Sequence, residues 1–485
     1  MSVEATKGGD AHAAPLGLGL KLSYAAGGLL DGVANQALSI FFFFYATTVC
    51  GAPAGLAGMA IAAGLVVDAV VDPLIGSLSD GWRSRLGRRL PFLLIGAPAT
   101  ALFLVLIFSL PPTLSGAALV GWITVLSIGL RVSISLFLLP YNAVGAELSE
   151  NYGERSSIAA WRWAAAMVGA LAAVALGFGV FFGGPEGLMR RAAYPGFALS
   201  IALVGGLGAT IAMRALLLTR DRQHPPPKAP APAFPELLKG LREIFANRSF
   251  RVLFIGAVLL FAALGLQATL GLHANTYFWR LRPQQTQAVT LALFAGLLIG
   301  APLAAPLLKI LEKRTVLLVG LLGFGAAFSV PASLRLLGLL PLEGSPLVAV
   351  LAGAVFCGGG LMATAAIAFA SMMADATDEH EHLFGARREG LYFAGWAFAG
   401  KAASALGALM AGVGLDLVGF HAQAGIVPTA GAVRWVGAIY GLGAGALAIA
   451  SAGTCLLYTL NAERHADILV ELKRRRVAPA PAAAE

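Results

Sequence analysis

The sequence predicts an all-α membrane protein with twelve transmembrane helices in two six-helix bundles. Three observations carry this. The 485 residues are 58% hydrophobic and only 12% charged, against roughly 25% charged in an ordinary soluble chain. Apolar runs long enough to cross a hydrocarbon core of roughly 30 Å recur along the whole length. These runs fall into two sets of six around a proline-rich basic centre, "RDRQHPPPKAPAPAFP" at 220–235, which cannot span and reads as a stiff extended linker.

In order, the apolar segments cover about 20–46, 54–80, 91–111, 116–146, 158–183, 193–219, 250–278, 286–310, 315–337, 346–374, 389–417 and 432–461. The 60 glycines suit membrane helices, which pack closely on small residues. The expected organisation is an N-terminal cytoplasmic tail (1–19), a first bundle (20–219), a cytoplasmic linker (220–249), a second bundle (250–461) and a cytoplasmic tail (462–485). Within the linker, "PELLKGLREIFANRSF" places Leu237, Leu238, Leu241, Ile244 and Phe245 on one helical face, so a short amphipathic helix is expected on the membrane surface. The N-terminal "MSVEATKGGDAHAAP" is polar and has no signal-peptide pattern. The closing "APAPAAAE" is low-complexity.

Lys and Arg set the orientation. Arg83, Arg85, Arg88 and Arg89 follow the second segment; Arg220, Arg222, Lys228, Lys239, Arg242 and Arg248 follow the sixth. Lys313 and Arg314 follow the eighth, and Lys473 to Arg476 lie in the tail. The opposite loops "TTVCGAPAG" and "LPPTLSG" carry no charge, although Arg190, Arg191, Arg280, Arg282 and Arg335 stand on that side. Both termini are therefore expected in the cytoplasm. Topology accounts for the net charge of +9, so nucleic-acid binding is not expected. Cys50, Cys357 and Cys455 are far apart in apolar surroundings and suggest neither a metal site nor a disulfide framework.

The chemistry concentrates in "VVDAVVDPLIGSLSDGWRSRLGRR", 66–89. Asp68 and Asp72 are four apart and share one helix face. Each carboxylate at mid-membrane costs about 2.5–3.5 kcal/mol. A proton, a metal cation such as Na⁺, or a basic side chain must neutralise them. Intramembrane acids usually mark ion or proton pathways; a buried ion pair fixing helix packing is the plain alternative. Pro73 follows directly and is expected to loosen the helix. Candidate charge partners are Arg131, at matching depth in the fourth segment, Lys401, the one charge between Leu391 and Leu415, and Asp31 with Asn35 and Gln36 in the first segment. For Arg131 a structural salt bridge fits as well as a functional one. Candidate solute contacts are Asn35, Tyr141, Asn142, Trp161, His273, Tyr277 and Trp396, though most aromatics at helical spacing are core and a lone His is more often packed than liganding. Gly76, Asp80, Arg83, Arg88 and Arg89 are expected to form a cytoplasmic gate, with Gly76 allowing close helix approach and Asp80 pairing with an arginine or with a helix N-terminus across the interface. Positive-inside anchoring alone would also explain these arginines.

"GWAFAGKA" at 395–402 superficially matches a phosphate-binding loop, but Ala402 replaces the required Ser or Thr and no strand precedes it. ATP is not an expected partner, and no enzyme motif appears; any transport would draw on an ion gradient. "NRS" at 247–249 matches a glycosylation acceptor but falls in a cytoplasmic loop.

Several stretches resemble the major facilitator superfamily and, within it, the glycoside–pentoside–hexuronide:cation symporters, the melibiose-permease-like family. They are "KLSYAAGG", "DAVVDPLIGSLSDGWRSRLGRRLPFLLIGAP", "LPYNAVGAELSENYGERSSIAAWR" and "MMADATDEHEHLFGARREGLYFAGWAFAGKAASALG". The resemblance implies the major facilitator fold and a symporter of a sugar, glycoside or related solute with Na⁺ or H⁺, without other cofactors and acting as a monomer. An amphipathic or lysolipid-like substrate is the alternative, since eukaryotic relatives on this branch carry lysolipids. It implies that Asp68 and Asp72 bind the cation, that Lys401 lies near them and that Arg162 belongs to the sugar pocket. Two positions depart from the family pattern. Leu138 stands where the helix-four sugar aspartate is expected. The helix-one aspartate falls on Gly32, with Asp31 one residue earlier and turned by about 100°.

Overall fold

Long apolar runs leave the backbone no partner in a bilayer except itself, so each becomes a helix. The computed structural model describes residues 16–149, 151–184, 187–219, 240, 242–421 and 426–477, and every regular element among them is helical. The first span is α1 (Leu18–Ala25), α2 (Gly28–Ala37) and two π-helical turns, Leu38–Phe42 and Tyr45–Val49. It is followed by α3 (Ala54–Gly81), α4 (Leu90–Ile107), α5 (Gly116–Glu147), α6 (Tyr152–Val174) and α7 (Ala193–Leu218). Then come α8 (Arg248–His273), α9 (Pro283–Ile310), α10 (Lys313–Leu336), α11 (Gly344–Phe384), α12 (Glu389–Leu417), α13 (Ala430–Ala438), α14 (Ala444–Cys455) and α15 (Ala462–Val477). Eleven spans are long and apolar enough to cross a membrane; the broken first one makes the twelfth.

Side chains close several helix starts. Asn151 accepts from Glu154 N at 3.1 Å, Asn247 from Phe250 N at 3.2 Å, and Thr429 from Ala432 N at 3.2 Å, satisfying donors that a helix leaves open. Pro73 does not interrupt α3, which runs through it. The first span breaks at Ala26–Gly27 where it presses on α6: a Cβ on Gly28 would lie 2.6 Å from the Arg162 carbonyl oxygen, and one on Gly32 would meet the Ala166 carbonyl. The spacing of Gly28 and Gly32 is the small-residue pattern of close membrane-helix contact. Gly32 thus serves backbone packing and leaves no room for an acid.

Helices α2 to α7 pack among themselves, as do α8 to α14; between the two sets, α3 packs along α12. Of the linker helix, only 240 and 242–246 are among the described residues; Leu237, Leu238 and Leu241 lie outside them. This stretch docks on the second set: Ile244 is fully buried, Phe245 meets the rings of Phe250 and Phe254, and Glu243 pairs with Arg388 at 3.6 Å. The expected tail after residue 461 begins with a helix. In α15, Ile468 and Leu472 are buried and His465 Nε2 lies 3.1 Å from Asp378 of α11. Its amphipathic face found a partner that composition could not reveal. Among the arginines on the sparsely charged side, Arg190, Arg191 and Arg335 donate to the carbonyls of Phe181, Leu110 and Leu342. They satisfy acceptors at segment ends rather than set topology.

Candidate cation and solute site

Midway along α3 the two acids meet a lysine from the other half. Lys401 Nζ lies 2.7 Å from Asp68 Oδ2 and also donates to Asp72 Oδ2. Ser135 of α5 faces both acids, 2.6 Å from Asp68 Oδ1 and 2.7 Å from Asp72 Oδ1. Sequence reasoning missed Ser135; its signal was a polar residue one turn beyond Arg131 on the same helix face. Asp68 is buried, while the side chains of Asp72 and Lys401 keep 21% and 30% exposure. The cluster is therefore wet on one side. A hydroxyl carries one hydrogen and donates to one carboxylate at a time. The second short contact leaves a carboxylate oxygen without that hydrogen, and oxygen donors are what hard cations take. With one ammonium against two carboxylates, the cluster has room for one more positive charge.

Arg131 makes no direct ion pair with the acids, although Asp68 lies in its electrostatic range. Arg131 Nη1 donates to Asn35 Oδ1 at 3.3 Å, and no carboxylate among the described residues lies within 4.0 Å of it. Asp31 is not a partner of Lys401 either: its Oδ1 accepts from Asn35 Nδ2 at 2.6 Å, with Arg162 of α6 in electrostatic range. Arg131 and Asn35 border a chamber of about 310 Å³ walled also by Phe42, Phe43, Phe261 and Ser404. Leu65 and Ser404 line it one turn from Asp68 and Lys401, so the chamber adjoins the cluster. A second chamber, about 370 Å³, shares Ser39, Leu264 and Ala268 with it. Of the expected solute contacts, only Asn35 lines either chamber.

The others lie elsewhere. Tyr141 is fully buried, stacks on Tyr24 with ring centroids 4.7 Å apart and donates to the Tyr24 carbonyl at 2.7 Å; it is core of the first half. His273 is fully buried, with Nε2 3.0 Å from Thr47 Oγ1 and 3.2 Å from Thr48 Oγ1 among the rings of Phe43, Phe44 and Phe420. Tyr277 packs on Phe44 and Phe420 at the same end. Trp396 packs between Phe261 and Phe369. Trp161 is exposed on α6, and Asn142 keeps a buried Oδ1 without a partner.

The expected gate is built differently too. A Cβ on Gly76 would meet nothing within 4 Å, so this glycine is not a close-approach point. Asp80 pairs with Arg89 at 2.7 Å, and Glu147, at the end of α5, takes both Arg88 and Arg89. All four residues belong to the first half, so the cluster does not bridge the interface. Arg83 is exposed and makes no ion pair among the described residues. Glu147 was legible only as one acid within "NAVGAELSE".

Beyond Lys401, several polar contacts join the halves at the end away from the arginine loop. Asp416 Oδ2 accepts from Gly55 N at 2.8 Å, His273 meets Thr47 and Thr48, and Gln284 donates to the Gly183 carbonyl at 2.9 Å. There α3 and α12 touch backbone to backbone, since a Cβ on Gly58 would lie 2.8 Å from the Ala408 carbonyl oxygen. The halves are clasped at this end.

Two helical halves meeting around a midspan ion cluster, clasped at one end, define a multi-pass secondary transporter. The chain belongs to the MFS/sugar transport protein family, whose model matches residues 23–462. It is 26% identical over 481 residues to the uncharacterized symporter sll1374 of Synechocystis, covering 83% of this chain and 86% of that one. To the inner membrane symporter YicJ of Escherichia coli it is 26% identical over 406 residues, covering 83% of each. Among solved structures it is similar to a D-xylose-proton symporter, with a TM-score of 0.61, 15% identity and coverage of 91% of this chain and 98% of that one. That likeness shows the major facilitator fold.

Proposed function

We propose that the chain is a symporter that moves a sugar, glycoside or related organic solute together with Na⁺ or H⁺ across a bacterial inner membrane, by alternating access. One observation carries this reading: two acids of the first half, bridged by its Ser135, share Lys401 of the second. A cation entering among the carboxylates competes with Lys401 for them, so binding changes the attraction between the halves. A change of conformation needs such a differential interaction. With the arginine-rich loops inside, both termini are cytoplasmic and the clasped end faces away from the cytoplasm. The apolar second chamber favours an amphipathic solute over a plain sugar as the alternative cargo.

The test is thermal unfolding of purified protein in NaCl and in choline chloride across pH 5 to 8, for wild type and Asp72→Asn. A ligand of the folded state at 100 times its Kd adds about 2.7 kcal/mol. Sodium coupling predicts a sodium-specific rise lost in the variant; proton coupling predicts a pH-dependent difference instead. If neither condition separates variant from wild type, the cluster is structural and the reading falls.

A further inference from the structure

The guanidinium of Arg131 is a full positive charge halfway along α5, at the wall of the first chamber. A charge at that depth on a helix costs about 2.5–3.5 kcal/mol, and guanidinium offers five donors. Among the described residues it spends one, on Asn35. The nearby acids are engaged: Asp68 by Lys401 and Ser135, Asp31 by Asn35. Neither chamber is lined by an Asp or Glu, so the guanidinium meets no carboxylate on the chamber wall and the acceptors present are neutral amides and hydroxyls. Gly32 and Leu138 bring no acid either, Gly32 being closed off by α6.

Charge balance gives the same direction. Asp68 and Asp72 against Lys401 and Arg131 sum to zero. A cation arriving with a neutral solute leaves a net positive charge in the middle of the membrane; one arriving with a monoanion leaves none. The second chamber supplies the other half of the specificity. Phe294, Phe324, Phe328, Met362 and Tyr440 line it beside the uncharged polar side chains Gln36, Gln267, Asn275, Thr286 and Thr290, and Ser39, Leu264 and Ala268 line both chambers. Chambers of this size each suit part of a small-molecule ligand.

Resting on the symporter reading above, we propose that Arg131 receives an anionic group of the cargo, a carboxylate, phosphate or sulfate, while an apolar part of the same molecule fills the adjoining chamber. The cargo is thus a small anionic amphiphile, and Arg131 is its specificity-determining residue.

The experiment measures Kd by the rise in unfolding temperature for naphthoate, naphthyl phosphate, naphthyl glucoside and inorganic phosphate, in NaCl and in choline chloride. Wild type, Arg131→Gln and Arg131→Lys are compared, each first shown to unfold cooperatively. The expected result is that an aryl anion binds wild type at least about tenfold tighter than the glucoside or inorganic phosphate. Arg131→Gln abolishes that preference and Arg131→Lys keeps part of it. A glucoside that binds as tightly as the aryl anions, an anion preference that survives in Arg131→Gln, or no anion response at all overturns the proposal. The cation response of wild type is read separately. Its loss removes the symport reading, while the anion-to-glucoside ratio still judges the role of Arg131.

Discussion

Replacing Lys401 with Met tests the cluster most directly. The ammonium contacts both acids, so its loss changes the local charge of the carboxylate–lysine set from −1 to −2. Removing one partner of a buried ion pair costs about 3–5 kcal/mol. Because Lys401 keeps 30% exposure and Asp72 21%, solvent screens part of this, and about 2–4 kcal/mol is expected. The loss should be largest in choline chloride. Saturating Na⁺ should restore most of it in a sodium symporter, since about 2.7 kcal/mol becomes available at 100 times Kd; acid buffer should do so in a proton symporter. The double variant Lys401→Met with Asp72→Asn returns the set to −1 and should be more stable than Lys401→Met alone. Unfolding of the four proteins of this cycle, in detergent, with and without sodium, reads all of it. Equal stability of Lys401→Met and wild type in choline, or additive effects in the cycle, would refute the idea that Lys401 neutralises the pair.

Three further outcomes follow from other contacts. Glu147→Gln strands Arg88, 8% exposed, and leaves Arg89, 5% exposed, with Asp80 alone, and should cost about 2–4 kcal/mol, whereas Arg83→Gln should stay within about 0.5 kcal/mol of wild type; comparative unfolding decides this. Gly32→Asp should lower the unfolding temperature, by roughly 1–3 kcal/mol of overpacking against the Ala166 carbonyl, and should not create galactoside uptake in cells. Asp416→Asn removes a carboxylate from the N-terminus of α3, a helix-end charge effect of about 0.3–1 kcal/mol. It should shift the population toward the form opened at that end by about two- to fivefold, read as faster alkylation of Cys50 in a Cys357→Ser background; an unchanged rate would mean that Asp416 does not hold the clasp.

The twelve spans were legible because bilayer thickness dictates their length, and the acid pair because four residues return a helix to the same face. Lys401 stood out as a lone charge in an apolar run. What sequence could not give was azimuth between helices. Arg131 has the depth expected of a counter-ion, yet Ser135, one turn on, is the residue that meets the acids, and Arg131 meets the chamber. Tyr141, His273 and Trp396 look like ligand-binding aromatics in one dimension and pack as core in three. The break in the first span was hidden because it depends on how closely α6 approaches Gly28 and Gly32. Asp416 and Glu147 gave no pattern at all, since each acts through a partner hundreds or tens of residues away.

The choice of counter-ion bears on mechanism. Asp68, Asp72, Ser135 and Arg131 all belong to α3 and α5, which pack together, so they travel as one body when the halves rock. Had Arg131 neutralised the acids, the pair would have the same energy in every orientation of the halves, and a cation displacing it would bias nothing. Lys401 comes from α12, across the interface. Its attraction to the acids depends on how the halves sit, and a cation that takes its place changes the relative energies of the two orientations. Coupling requires that difference between states and not merely tight binding. The same reasoning frees Arg131 for the cargo: a charge fixed to the cation-binding half can recognise a solute in either orientation without opposing the motion that carries it.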